Sequence, residues 1–388
     1  MGKTKTITFV LMNSKIILFF LISSLLYACS TEEEKKDNKT FIAKSSATNE
    51  YELSRERLDG LISKNADDIN ALIERGNLAL ENYDFSNAFS DAARALRLDS
   101  NKFESRLLYA QALINRPTST EKDKTVAQGY FLRLVNENKS NLDAIVGLAN
   151  TYALLQDFEN ANDWIEKALR IDRKCIDAYR LKGSIFKIRY YAVMDDADSQ
   201  KFAETLFDST INTYSYITQI DPEYHVAYMH LGLLFDQRND PLCLDHYLSA
   251  VQIQPENLDY KYALAYAYGE FGKEREAMRI YKEMIEQDDT FYEAYCQTGQ
   301  ILQFKYQELD SALYYYSQVV DKDEHHIDAY VNMGIAYQDK GDITNALKNY
   351  SRALAIRPEE RGVLVTLNQF NETQEMAKSR ARELKKKL

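Results

Sequence analysis

A small residue returns about every 34 residues along this chain. Gly76, Ala110, Ala149, Gly183, Gly232, Ala265, Gly299 and Gly334 each sit in a stretch of helical periodicity. A period of this size marks an array of helix pairs. One pair cannot bury its apolar face alone, so successive pairs stack and share a continuous core. The chain is therefore expected to be all-α, a solenoid of helix-turn-helix units. Such folds work through extended surfaces rather than through enclosed catalytic centres.

The last full unit carries the pattern most completely. It runs through Tyr330, the Met333-Gly334 pair, Tyr337, Gly341, Ala346, Tyr350 and Pro358. This resembles the tetratricopeptide repeat, whose markers are an aromatic, a Leu-Gly pair, a Tyr, then Ala, an aromatic and Pro. The physics of each marker is plain. Gly334 and Ala346 belong where two helix axes cross closely. The tyrosine rings fill the space beside that crossing. Gly341 stands in the turn, where a positive φ suits glycine. Pro358 cannot continue a helix.

Eight units begin near Ile69, Phe103, Leu142, Ile176, His225, Leu258, Tyr292 and Ile327. Second-helix crossings fall at Ala88, Ala127, Ala161, Cys243, Ala277, Ala312 and Ala346, and second-helix aromatics at Tyr214, Tyr247, Tyr281, Tyr316 and Tyr350. The resemblance implies a right-handed superhelical array over 67–358, with insertions near 116–124 and 189–209. Amphipathic segments at 50–66 and 359–388 read as capping helices, the second ending in a basic tail whose charge suits a solvated helix end. The 28 tyrosines mostly occupy repeat positions and are read as packing residues.

Residues 1–28 read as a targeting signal. Lys3, Lys5 and Lys15 precede an apolar run, Ile16 to Leu26, which is shorter than the roughly 20 residues a membrane span requires. Leu26-Tyr27-Ala28-Cys29 resembles the lipobox of bacterial lipoproteins, with Tyr27 standing where a small residue is usual. The resemblance implies cleavage before Cys29 and acylation of its thiol, a palmitate-type anchor. Each buried CH₂ would contribute about 0.8 kcal/mol to membrane attachment. The acidic run Glu32-Glu33-Glu34 resembles the surface-export signal of Bacteroidetes lipoproteins. Outer-membrane attachment is expected, with the cell surface and the periplasmic face both open. The polar stretch 29–49 reads as a flexible tether spanning roughly 25 Å.

A net charge of −11 argues against nucleic acid as partner, since that binding needs clustered Lys and Arg. The cysteines besides Cys29, namely Cys175, Cys243 and Cys296, have neither disulfide nor zinc spacing. Cys296 is expected on an inward first-helix face, open to a groove. No nucleophile elbow, P-loop or HExxH motif occurs. The chain reads as a non-enzyme with no cofactor and no metal. His325-His326 and the run Asp195 to Asp198 read as solvated loops.

In the family that the repeats resemble, the inner face of the first helices binds peptides. Helical spacing assigns to that face Asn77, Leu80, Asn150, Leu154, Arg180, Lys187, Met229, Leu233, Tyr262, Tyr266, Cys296, Gln300, Phe304 and Ile335. Asp177, Asp259 and Asp328 stand on its rim. Ile73 and Val146 occupy the places where some members use Lys to clamp a peptide carboxylate, so that clamp is not expected. Aromatic anchors inside a polar rim suit a peptide segment or a partner helix. The expected function is a lipid-anchored scaffold or adaptor with a protein or peptide partner. The alternative is a surface receptor module for a small peptide or glycan.

Overall fold

A computed structural model describes residues 46–357 and residue 382. The signal segment, Cys29, nearly all of the tether, Pro358 and the C-terminal capping segment apart from residue 382 lie outside the described residues. Among the described residues there are seventeen α-helices and no strand. The chain divides into two compact units, one up to Pro222 and one from Glu223.

In the first unit, α1 (Ser46–Lys64) precedes four helix pairs: α2 (Ile69–Glu81) with α3 (Phe85–Leu98), α4 (Phe103–Asn115) with α5 (Glu121–Glu137), α6 (Leu142–Leu154) with α7 (Phe158–Ile171), and α8 (Ile176–Val193) with α9 (Gln200–Ile220). The second unit has four more: α10 (His225–Asp236) with α11 (Leu242–Ile253), α12 (Leu258–Glu270) with α13 (Glu274–Gln287), α14 (Tyr292–Phe304) with α15 (Leu309–Lys322), and α16 (Ile327–Asp339) with α17 (Ile343–Ile356). All eight first helices start where the repeat spacing places them.

The reason for each pair is visible in its crossing. Ala88, Ala127, Ala161, Cys243, Ala277 and Ala312 are 0 % exposed, which lets the axes approach. Tyr214, Tyr247, Tyr281, Tyr316 and Tyr350 are fully buried beside them. A Cβ added at Gly232 would lie 2.5 Å from the Tyr247 ring, and Gly299 and Gly334 are pressed equally hard by Tyr316 and Tyr350. Each glycine therefore admits the ring that fills its pair. The third unit differs from the spacing. There Gly147, two residues before Ala149, takes the close contact, with Phe131 of the preceding pair.

The buried phenols are also hydrogen-bonded, as burial requires. Tyr247 donates to Asp236 at 3.3 Å, Tyr316 to Gln303 at 3.1 Å and Tyr350 to Gln338 at 3.1 Å. Each acceptor sits near the end of the first helix of the same pair. Burial accordingly raises the Asp236 carboxyl above its usual range, while the Tyr247 bond works the other way.

Local chemistry sets the turns. Asp84, Asp157 and Asp342 cap α3, α7 and α17, accepting from the backbone of Asn87, Asn160 and Asn345 at 3.3, 3.2 and 3.0 Å. The amide of the same Asn closes a second bond to the capping carboxylate at 2.6, 2.7 and 2.7 Å. Such caps are each worth about 1 kcal/mol. Gly341 has φ of +80°, as its place in the turn predicts.

Three features depart from the sequence reading. Of the insertion near 116–124, only 116–120 is a connection, because Thr120 and Asp123 form a capping box that starts α5 at Glu121. The insertion near 189–209 is mostly helix. It lengthens α8 to 18 residues and α9 to 21, joined through a short 3-10 turn at Ala197–Ser199 capped by Asp196. Tyr190 and Phe207 are buried against one another there, with ring centroids 5.4 Å apart, which holds the extension together. In the first pair, Arg75 grips the buried Asp91 with two bonds of 2.7 and 2.6 Å and also reaches Asp59 on α1. That bidentate geometry satisfies an otherwise costly buried charge.

Candidate functional site: the first-helix faces

The second unit repeats one register on three first helices. Asp259, Tyr262, Tyr266 and Glu270 occupy positions two, five, nine and thirteen of α12. Glu293, Cys296, Gln300 and Phe304 occupy the same places on α14, and Asp328, Val331, Ile335 and Asp339 on α16. The spacing puts each set on one helix face. The acidic second residues lie in the first helical turn, where the backbone dipole favours negative charge. Their side chains are exposed, forming an anionic edge.

The side chains behind that edge sort into packed and accessible groups. Tyr262 is a packing ring: its centroid lies 5.9 Å from Tyr281 and 5.9 Å from Phe291, and its hydroxyl accepts from Gln297 Nε2 at 3.2 Å. Burial drives its phenol well above the ordinary range. It is half-buried, and Phe291 and Gln297 of the next pair engage its ring and hydroxyl, so it is less free-standing than helical spacing suggests. Met229 is 4 % exposed and belongs to the core of this unit, so it is not a surface group. Cys296 is likewise buried rather than open to a groove. Its thiol is raised mainly by burial, with Asp328 and Glu293 adding, and such a thiol is inert.

Leu233 and Ile335 are half-buried, and three further groove residues are also accessible. Tyr266 is half-buried, stacked on Tyr262 at 6.3 Å, with its phenol pushed up to about 12. Gln300 is half-buried, and Phe304 is 58 % exposed. An aromatic exposed this far does no core work.

In the first unit the same register carries Asn77, exposed, and Asn150, half-buried. Arg180 turns back within α8 onto Asp177, with nitrogens 3.3 and 3.2 Å from Oδ1. Lys187, three turns into α8, has its ammonium pushed down to about 8 by desolvation. The Asp143 carboxyl is raised by burial and by the neighbouring Asp177. The first helices of this unit therefore also carry an acidic edge, at Glu104, Asp143 and Asp177.

Sequence reading missed Gln297 and Phe291, which touch the hydroxyl and ring of Tyr262. Their signal is present only as their place one period after residues of α12. Among the described residues no group of three or more His, Cys, Asp or Glu is placed to hold a metal ion, and no helix is long and apolar enough to cross a membrane.

The fold and this surface define an all-α protein of stacked helix pairs. Comparison with known families adds that residues 142–175 and 327–360 match the tetratricopeptide repeat, so the chain carries repeats of that family. No curated protein sequence matches it. A human IFIT1 dimer with m7Gppp-AAAA is similar in fold, with 14% identity and a TM-score of 0.51, over 79% of this chain and 67% of that one. MamA matches with 22% identity and a TM-score of 0.37, over 42% of this chain and 96% of MamA. YrrB, described as a TPR protein with an unusual peptide-binding site, matches with 20% identity and a TM-score of 0.33, over 61% of this chain and 97% of YrrB. At these identities, a likeness speaks to the fold alone.

Proposed function

We propose that this protein is a non-enzymatic scaffold that binds a peptide segment of a protein partner along its first-helix faces. The observation carrying this reading is the register of α12, α14 and α16. Repeat packing buries Cys296 and Met229, yet leaves Tyr262, Tyr266 and Gln300 half-buried and Phe304 exposed beside a row of carboxylates. An apolar anchor flanked by charge suits a segment that pairs a large apolar side chain with basic residues. The tetratricopeptide repeats support the same reading. A surface receptor for a small peptide or glycan is the alternative, carried by the same aromatic residues.

The location follows from residues outside the described region. Cys29 ends a lipobox-like sequence, and the reading is that an acyl anchor at Cys29 holds the scaffold at a bacterial outer membrane. The polar stretch between Cys29 and the start of α1 at Ser46 then gives the repeats reach.

The binding claim is tested by selecting peptide ligands for the full chain from a displayed random library and measuring their affinities by calorimetry. The Tyr266→Ala/Phe304→Ala double variant should bind the selected basic-aromatic peptides at least tenfold more weakly. That factor corresponds to about 1.4 kcal/mol, a modest value for two interface aromatics. Far-UV circular dichroism should not change. Unaltered affinity in the double variant would place the site elsewhere.

A further inference from the structure

A second surface, away from the first-helix faces, carries the opposite charge. On α13, Arg275, Met278, Arg279 and Lys282 line one wall of an open trough of about 490 Å³. Their spacing of three, one and three residues puts them on one helix face. The opposite wall comes from the end of α14 and the turn that follows it, through Leu302, Tyr306 and Glu308. We propose that this trough binds an acidic peptide segment that presents one large apolar side chain.

The charges support the sign. Arg275 and Lys282 make no ion pair among the described residues. Arg279 pairs with Glu283 on its own helix, at 2.5 Å, with its side chain 65 % exposed. Glu308, the one carboxylate in the lining, accepts from the Ser311 hydroxyl at 3.1 Å. The surface is thus cationic in a chain of net charge −11, and a local field of that kind recruits anionic segments. An exposed guanidinium keeps most of its hydration, so the gain from pairing lies in geometry and encounter rate rather than in a large single contact.

The floor supports the apolar element. Met278 packs with Leu302 at the base of the trough, and Tyr306 is 39 % exposed on the far wall. A thioether, an aliphatic and a phenol ring make an adaptable seat for one apolar side chain. The trough is too open to enclose a small molecule in the manner of a ligand pocket. Three cations spread over about 10 Å of helix neutralise few phosphates, while the rest of the chain repels a polyanion. A peptide therefore fits better than a nucleic acid.

The test uses fluorescence anisotropy with the full chain and three probes. The first is a fluorescein-labelled nonapeptide of Glu and Asp with one central Phe. The second is its counterpart with Lys in place of the acids, and the third is a labelled oligouridylate. The acidic peptide should bind, weaken at least fivefold between 50 and 300 mM salt, and weaken at least tenfold in the Arg275→Glu/Lys282→Glu double variant. Tyr266→Ala should leave its binding intact, which separates this site from the first-helix face. If the charge reversals lower the melting temperature, Arg275→Gln/Lys282→Gln serves in their place, with the same loss expected. No binding of the acidic peptide at 1 mM, equal binding by the double variant, equal binding of the Lys peptide, or a preference for the oligouridylate through these residues each overturns the proposal.

Discussion

Six of the eight helix pairs turn through a residue of positive φ at the same place, and only two of those six are glycine. Gly272 and Gly341 adopt the left-handed region freely, while Tyr83, Gln156, Asn239 and Gln307 pay a steric penalty there. For a side chain other than Asn or Asp the penalty is about 1–2 kcal/mol. Replacing Gln307 by Gly relieves it, at a smaller entropic cost in the unfolded chain. Gln307→Gly should raise stability by about 0.5 kcal/mol, and Gly341→Ala should lower it by about 1 kcal/mol. Urea denaturation reads both. Loss of stability in Gln307→Gly would show that side-chain contacts at this turn outweigh backbone strain. The Asp–Asn caps beside these turns, with donor and acceptor three residues apart, carry a signal local enough to be found in sequence, though the repeat markers do not point to them. The turn conformation at Tyr83 and Gln156 was not, because no residue type there announces it.

In four helix pairs a glycine of the first helix (Gly183, Gly232, Gly299 or Gly334) meets the tyrosine ring of the second, and the energetics of that contact are one-sided. Burying a tyrosine ring contributes about 2 kcal/mol, and a β-carbon in its way forces either the ring or the axis to move. At Gly334 a Cβ would collide with the Tyr350 ring, whose hydroxyl is already held by Gln338. Gly334→Leu should therefore destabilise the protein by at least 2–3 kcal/mol, at the upper end for overpacking. Gly269→Ala, whose Cβ meets nothing within 4 Å, should be neutral or slightly stabilising because alanine favours the helix. Thermal melts of the two variants check the contrast, and similar melting points would mean the ring yields freely. Elements were the most legible level of this structure. The residues between α8 and α9 were the exception: they read as an insertion because the repeat markers fade, yet Tyr190 and Phe207 pack them as additional helical turns.

At the scale of the whole molecule, the two compact units carry the same first-helix register and similar acidic edges. Attachment to a membrane is a separate matter that rests on residues 1–29. If Cys29 is acylated, mass spectrometry of the mature amino terminus will find a lipid-modified cysteine at position 29. The Cys29→Ser protein will then leave the membrane fraction. An unmodified Cys29, or a membrane-bound Cys29→Ser protein, overturns the anchor.

The pattern of small residues, rings, caps and turns lies within one period of the chain, and neighbours in sequence enforce it. That is why the helix-pair architecture, the start of every first helix and the burial of Tyr247, Tyr316 and Tyr350 could be read directly. Accessibility is different, because it depends on atoms delivered by the adjacent pair. Tyr262 and Tyr266 stand four residues apart on the same face of α12, and nothing local separates them. Phe291 and Gln297, delivered by the next pair, engage the ring and hydroxyl of Tyr262, while both tyrosines stay half-buried. Packing between pairs buries Met229 and Cys296, and the packing of α13 against α14 makes a trough out of three cations that look, in sequence, like an ordinary solvated helix.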